Sequence, residues 1–337
     1  MVASVDVAEL KSSIHQFILG QEHLVQESLS CLLAGGHILM TGAPGLAKTT
    51  LVRVLSAHLG LDFKRIQFTP DLMPSDIIGT EILNLDETTN KRNFEFHKGP
   101  VFTNLLLADE INRASPRTQS ALLEAMSEGR VTVRGKTYEL PKPFMVLATQ
   151  NPYESEGTFP LPEAQLDRFL LHSLVEYPDT NSEQKMLEMF HQGTLVDESK
   201  LDSLENKISK DDLVRLIQDC KNVEVEPEFI SGILDLVKSS RPADDSMNSD
   251  NKELLEYGAG PRAGLSLIAC SKAHALLSGR KKVEWSDVQA VLQPVLRHRI
   301  RLSSKALRSG KNEDAVLLDI VKSMKSKYSE LVSGLGG

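Results

Sequence analysis

The sequence predicts an α/β fold, a parallel sheet sandwiched by helices, followed by a helical second half. Three observations predict it. The apolar run His37-Ile38-Leu39-Met40 stops at Gly42-Ala43-Pro44-Gly45 and gives way to Lys48-Thr49-Thr50-Leu51-Val52, the start of a helically patterned stretch. Residues 105–108 and 144–148 are continuous apolar runs rather than alternating ones, as expected of strands covered on both faces. Beyond Tyr177-Pro178-Asp179 strand patterning fades and helical periodicity recurs. A chain of 337 residues fits about two domains. The expected division is an α/β core over 1–177 and an all-helical lid over 178–337.

Taken in order, apolar positions recur at helical spacing over 5–33 and are interrupted at Ile18-Leu19-Gly20-Gln21, so two helices open the chain. The strand, glycine loop and helix described above come next. Residues 81–96 read as a β insert whose polar stretch 86–93 is an exposed tip. After the strand at 105–108, Ser115 and Pro116 supply a cap and a first-turn proline for a helix over 115–127. Residues 130–140 alternate strand formers around Gly135, a hairpin placed just before the strand at 144. Helices are expected at 183–190, 211–220, 227–239, 262–277, 287–299 and 314–331, with a polar loop over 241–252.

Composition narrows the function classes. Hydrophobic residues at 41% and charged residues at 25% are ordinary globular values, which excludes disordered, collagen-like and disulfide-scaffold chains. A net charge of −8 gives no electrostatic footprint for duplex binding. Cys31, Cys220 and Cys270 have no C-x-x-C spacing and fit reduced thiols in a cytoplasmic protein. Asp6 and Glu9 interrupt any export signal, and the most apolar stretch, 29–40, is shorter than the roughly 20 residues of a membrane span. No membrane insertion is expected. The scattered histidines form no ligand cluster, and Met186 and Met189, at helical spacing, read as packing.

The chemistry concentrates in three segments. Gly42-Ala43-Pro44-Gly45-Leu46-Ala47-Lys48-Thr49 follows the phosphate-loop pattern G-x-x-x-x-G-K-[ST] except that Ala47 replaces the second glycine. The physical needs survive: glycines turn backbone N–H groups inward, a helix N-terminus adds positive dipole, Lys48 reaches the β- and γ-phosphates and Thr49 holds Mg²⁺. Ala47 is expected to be helical without strain. Leu105-Leu106-Leu107-Ala108-Asp109-Glu110 ends a buried strand in two acids, at the sheet edge where α/β ligands bind. Asp109 would hold a metal-bound water and Glu110 would polarise the attacking water. In Ala148-Thr149-Gln150-Asn151-Pro152, Asn151 is placed to orient that water or touch the γ-phosphate.

The segments GAPGLAKT, LLLADEINRASPRTQSALLEAM (105–126), ATQNP and LPEAQLDRF (161–169) together resemble the MoxR group of AAA+ ATPases, over nearly the whole chain. Ala47 is itself what that group's pattern shows. The resemblance implies an AAA+ P-loop core with β-hairpin inserts and a helical lid, and an ATP-hydrolysing enzyme with ATP and Mg²⁺ as cofactors. It makes Gly42, Ala43, Pro44, Gly45, Leu46, Ala47, Lys48, Thr49 and Thr50 the nucleotide-binding loop, Thr49 and Asp109 the metal residues, and Glu110 and Asn151 the water-activating carboxylate and the sensor. Arg168 resembles the finger that reaches a neighbouring subunit's γ-phosphate, and Arg262 a second sensor reaching back from the lid. Arg113 and Arg117 are rival fingers. Ile18, Leu19 and Gly20 resemble the segment that packs on adenine, and the two β inserts resemble elements that face a pore or substrate. The implied assembly is a self-associated ring, a hexamer, acting with a von Willebrand factor A domain partner to remodel or mature a client protein complex. The rivals on the same core are a nucleic-acid translocase, a metal-chelatase motor subunit and a nucleotide-gated scaffold.

Overall fold

The computed structural model describes residues 7–86, 91–153, 156–193, 208–243, 252–324 and 327–329. Helices α1 (Val7–His15) and α2 (Glu22–Leu33) lead into strand β1 (Ile38–Gly42) and helix α3 (Lys48–Leu59). There follow β2 (Phe63–Gln67), α4 (Pro74–Ile78), the hairpin β3 (Gly79–Asp86) and β4 (Lys91–Lys98), β5 (Leu105–Asp109) and α5 (Pro116–Glu128). A second hairpin, β6 (Arg130–Val133) and β7 (Lys136–Glu139), precedes β8 (Met145–Gln150), α6 (Glu163–Leu166) and β9 (Leu171–Val175). The second half carries α7 (Thr180–His191), α8 (Lys210–Asn222), α9 (Pro227–Ser239), α10 (Pro261–Leu277), α11 (Trp285–Leu296), α12 (Ser304–Arg308) and α13 (Glu313–Ser323), with strands β10 (Leu255–Tyr257) and β11 (Arg301–Leu302).

The main sheet has five parallel strands in the order β2-β5-β8-β1-β9. Its central strands explain the continuous apolar runs. Leu105 and Leu107 of β5, with Met145 and Leu147 of β8, face one buried cluster. Leu106 and Ala108, with Val146 and Ala148, face the other. Both faces are covered, so neither side of the strand can be polar. The first cluster continues without a break from α1, α2 and α3 into Leu267 and Cys270 of α10 and Val288 and Leu292 of α11. The lid shares one core with the helices on that face of the sheet.

The edge strand β2 escapes the sequence pattern. Its residues Lys64, Arg65 and Gln67 are exposed and only Ile66 is buried, so it shows neither a continuous apolar run nor clean alternation. The lid is helical as expected, with the addition of the short antiparallel β10–β11 pair. Five of the six expected lid helices have bounds within three residues of those read from the pattern, and the stretch over 287–299 tightens into a 3₁₀ turn at Arg297–Arg299. The helix expected over 314–331 stops earlier, at Ser323 with Met324 as its cap. Most of the polar loop expected at 241–252 and residues 87–90 of the first hairpin's tip lie outside the described residues.

Both inserts are hairpins separate from the main sheet. The second turns on Arg134 (φ 47°) and Gly135 (φ 81°), the two positive dihedrals that a type I′ turn demands. The hairpins pack on each other: Tyr138 stacks on Phe96 at 4.2 Å between ring centroids, and the Arg134 guanidinium lies 5.1 Å from the Phe94 ring and 3.4 Å from Glu81. The basic turn therefore docks one insert against the other.

Asp287, wholly buried at the start of α11, accepts hydrogen bonds from Arg280 at 2.6 and 2.8 Å and from Glu284 N at 2.8 Å, and lies 2.6 Å from His274 Nδ1. Burial pushes its carboxyl pKa up, but the hydrogen bonds with His274, Arg280 and Glu284 N outweigh it and hold the group below the ordinary carboxylate range. Asp287→Ala strands the buried partners and is expected to lower stability by roughly 3 kcal/mol, measured by urea unfolding at neutral pH. Because the folded pKa is depressed, this contribution is complete above the unfolded value near pH 4 and lost as pH falls through the folded one. A variant as stable as wild type at pH 7 would refute the account.

Candidate active site

The phosphate loop connects β1 to α3. Gly42 permits the close approach at the strand's end, since a Cβ there would lie 2.4 Å from the Val175 carbonyl oxygen. Ala47 does not sit in the ordinary helical conformation expected for it. It stands at φ 53°, ψ 17°, left-handed, immediately before the first helical residue. The loop must reverse curvature there to aim its N–H groups at one point, and a non-glycine residue accepts this at a cost on the order of 1–2 kcal/mol. Lys48 Nζ donates to Gly42 O at 2.7 Å. Partial burial lowers the ammonium's pKa, opposed by the facing carboxylates of Asp109 and Glu110.

The loop, the end of β5 and the end of β8 enclose a cavity of about 360 Å³. It is lined by the loop from Pro44 to Thr50, by Asp109 and Glu110, and by Asn151. These predicted residues meet because parallel strands point their carboxyl ends the same way. Gly42 and Ala43 lie just behind, at the end of β1.

Three further residues line the cavity that sequence patterning did not nominate. Thr149, fully buried at the end of β8, donates to Asp109 Oδ1 at 2.6 Å and accepts from Glu110 N at 2.8 Å, so one hydroxyl fixes both acids. Arg65 donates to Asp109 Oδ2 at 2.6 Å and to Gln67 at 3.0 Å. Gln67 donates in turn to Glu110 Oε2 at 2.8 Å. Glu110 is itself left-handed, at φ 56°, ψ 50°, a second strained position. Arg113, nominated as a rival finger, pairs at 3.3 Å with Glu110 of its own chain, and Arg117 is exposed on α5.

Arg168 and Arg262 do not line the cavity. Arg168 donates to Leu123 O at 2.7 Å and Ser127 Oγ at 2.8 Å, near the end of α5. Arg262 reaches back from the lid, as expected, but to Asp167 at 3.4 Å, beside Arg168. A second cavity of about 270 Å³ adjoins the first and shares Gly45, Leu46 and Ala47 with it. Leu19, Tyr177, Pro178, Met186 and Leu187 give it an apolar lining, so Met186 faces a cleft instead of filling a core, since α7 buries none of its residues. A flat apolar cleft beside a phosphate loop suits a purine base.

The donor set also fits a hard cation. The Thr49 hydroxyl and the Asp109 carboxylate supply a few oxygen donors on one cavity, which suits Mg²⁺, an ion that retains waters and takes phosphate oxygens. Among the described residues there is no helix long and apolar enough to cross a membrane.

Comparison with known proteins places the fold in a family. A family model described as ATPase family associated with various cellular activities (AAA) matches residues 37–171, and an AAA lid domain model matches residues 247–320. The chaperone MoxR1 of Mycobacterium tuberculosis is 40% identical over 311 residues, covering 92% of this chain and 80% of that protein. The protein MoxR of Paracoccus denitrificans is 30% identical over 307 residues, 88% of each chain. A crystal structure of a candidate ATPase from Cytophaga hutchinsonii superposes with a TM-score of 0.84 at 38% identity, over 94% of this chain and 93% of that one.

Proposed function

This chain belongs to the MoxR family of AAA ATPases, and we propose that it hydrolyses ATP in a ring, a hexamer, whose sites are shared between neighbouring protomers. Lys48 and the loop amides bind the β- and γ-phosphates, and the base enters the apolar cleft beside Leu19. Thr49 and Asp109 would hold Mg²⁺, which when bound would supply charge neutralisation for the phosphates. Glu110 accepts a proton from the attacking water, Asn151 orients that water, and Gln67 and Arg113 hold the Glu110 carboxylate in place.

One observation carries the shared-site reading: the cavity gathers Lys48, Thr49, Asp109, Glu110 and Asn151 and contains neither Arg168 nor Arg262. The other guanidinium on the cavity, Arg65, is taken up by Asp109 and Gln67, so beside Lys48 a γ-phosphate bound there would need a further arginine for the transition-state charge of phosphoryl transfer. Arg168, exposed and flanked by Arg262, is offered instead to an adjacent protomer. The name of the relative, chaperone MoxR1, supports an output of remodelling or maturing a client protein complex. The von Willebrand factor A domain partner and the cytoplasmic setting belong to the same proposal and rest on the motif resemblance alone.

The test is ATPase rate against protein concentration with light scattering for size. The specific rate is expected to rise as the ring assembles, and Arg168→Ala to abolish that rise while leaving nucleotide affinity intact. A concentration-independent rate untouched by Arg168→Ala would mean a self-contained site.

A further inference from the structure

Arg168 itself is anchored on α5, through Leu123 O and Ser127 Oγ, but the residues on either side of it are held from the lid of its own protomer. Arg299, whose side chain is only 2% exposed, donates to Asp167 Oδ1 at 2.9 Å, to Phe169 O at 2.8 Å and to Leu170 O at 3.2 Å. Its other bonds go to Val295 O and Ser266 Oγ within the lid. His298 Nε2 lies 3.1 Å from Phe169 O, and Arg297 donates to His172 O at 2.7 Å while pairing with Asp314 at 2.8 Å. Three consecutive lid residues thus grip the backbone directly following Arg168, and Arg299 also grips the side chain directly before it.

A buried guanidinium costs several kcal/mol unless its N–H groups are satisfied. A lid that only had to pack here would be served as well by leucine or methionine. Arg299 instead directs donors to three of the four positions from 167 to 170, namely 167, 169 and 170, and passes over only the exposed Arg168. The fork geometry suits this, since a guanidinium presents several fixed donors and defines orientation as well as distance.

We propose that Arg299 is a positioning residue for hydrolysis in the neighbouring protomer: it ties residues 167–170 to the lid, so that the donor protomer's lid sets where Arg168 is presented. This rests on the shared-site reading above. Any displacement of the lid carries Arg299, and with it the arginine that completes the next site. The state of one protomer is thereby passed to its neighbour through a contact 132 residues apart in the chain.

The test is a mixing experiment with Arg299→Gln and, as a milder variant at the half-buried partner, Asp167→Asn. Each variant alone is expected to assemble, to bind a fluorescent ATP analogue with wild-type affinity and to lose at least tenfold in ATPase rate. Mixed in equal amounts with Glu110→Gln, whose own site is inactive but whose Arg168 segment is intact, each is expected to regain activity several-fold, as Arg168→Ala does in the same mixture. Rescue of Arg168→Ala without rescue of either variant overturns the proposal, because Arg299 would then serve its own site or the fold alone. Failure to rescue Arg168→Ala overturns the shared-site reading and the proposal with it. Wild-type rates in both variants alone also overturn the proposal. Should Arg299→Gln not fold, Asp167→Asn carries the same comparison.

Discussion

Glu110→Gln is expected to bind ATP as tightly as wild type and to lower turnover by about 10²- to 10⁴-fold, the usual contribution of a positioned general base. The substitution changes chemistry and leaves placement alone. Gln67 Nε2 and Arg113 both donate to Glu110 Oε2, and an amide oxygen in the same place still accepts both bonds, the one from Arg113 without its ionic part. The backbone N–H stays on Thr149, and the left-handed backbone is unaltered by an isosteric side chain. What disappears is the capacity to take a proton from water. Binding measured with a fluorescent ATP analogue and turnover measured by phosphate release separate the two effects. Wild-type turnover would remove Glu110 from its role.

Lys48→Ala is expected to abolish nucleotide binding at ordinary concentrations. The ammonium projects from the first turn of α3 and rests on Gly42 O, so the lysine is already held at the cavity before any phosphate arrives. Charge-assisted hydrogen bonds to two phosphates contribute roughly 1.5–3 kcal/mol each, so their loss weakens binding by about 10²- to 10⁴-fold. Alanine is a strong helix former and α3 loses nothing by the change, so circular dichroism should be unaltered. An unchanged ATP affinity by direct titration would sink the phosphate-loop assignment. Together the two variants separate binding from turnover at one cavity.

How much of this was legible in the sequence depended on how far apart the cooperating residues lie. The phosphate loop, the acids ending β5 and Asn151 ending β8 each sit in a short local pattern, a buried strand giving out into polar residues at a sheet edge. Each was visible locally, but the loop and the Asn151-Pro152 step took their meaning from the acidic strand end read together with them. Arg65 and Gln67 were not, because β2 is an edge strand with one buried residue and its meaning comes from pairing with β5, where Gln67 lies opposite Asp109. The available signal was faint: Ile66 and Phe68 alternate with polar neighbours, and both are buried. Thr149 stood inside the quoted motif ATQNP, yet nothing in that string says that its hydroxyl bridges two acids on another strand. His298 is one of the scattered histidines that form no ligand cluster, and only the lid's packing brings it, with Arg297 and Arg299, against 167–172.

The sequence by itself determined the α/β core with a helical lid, the phosphate loop and the acidic strand end, because hydrophobic periodicity and the turn requirements of glycine and proline act over a few consecutive residues. Only the tertiary structure decided that Ala47 and Glu110 adopt left-handed backbone, that Arg65, Gln67 and Thr149 join the site, and that the lid holds the segment bearing Arg168. Those features arise from strand pairing and side-chain packing between residues 40 to 130 positions apart. Such contacts form only when the rest of the fold supplies the partner, and no local pattern records them.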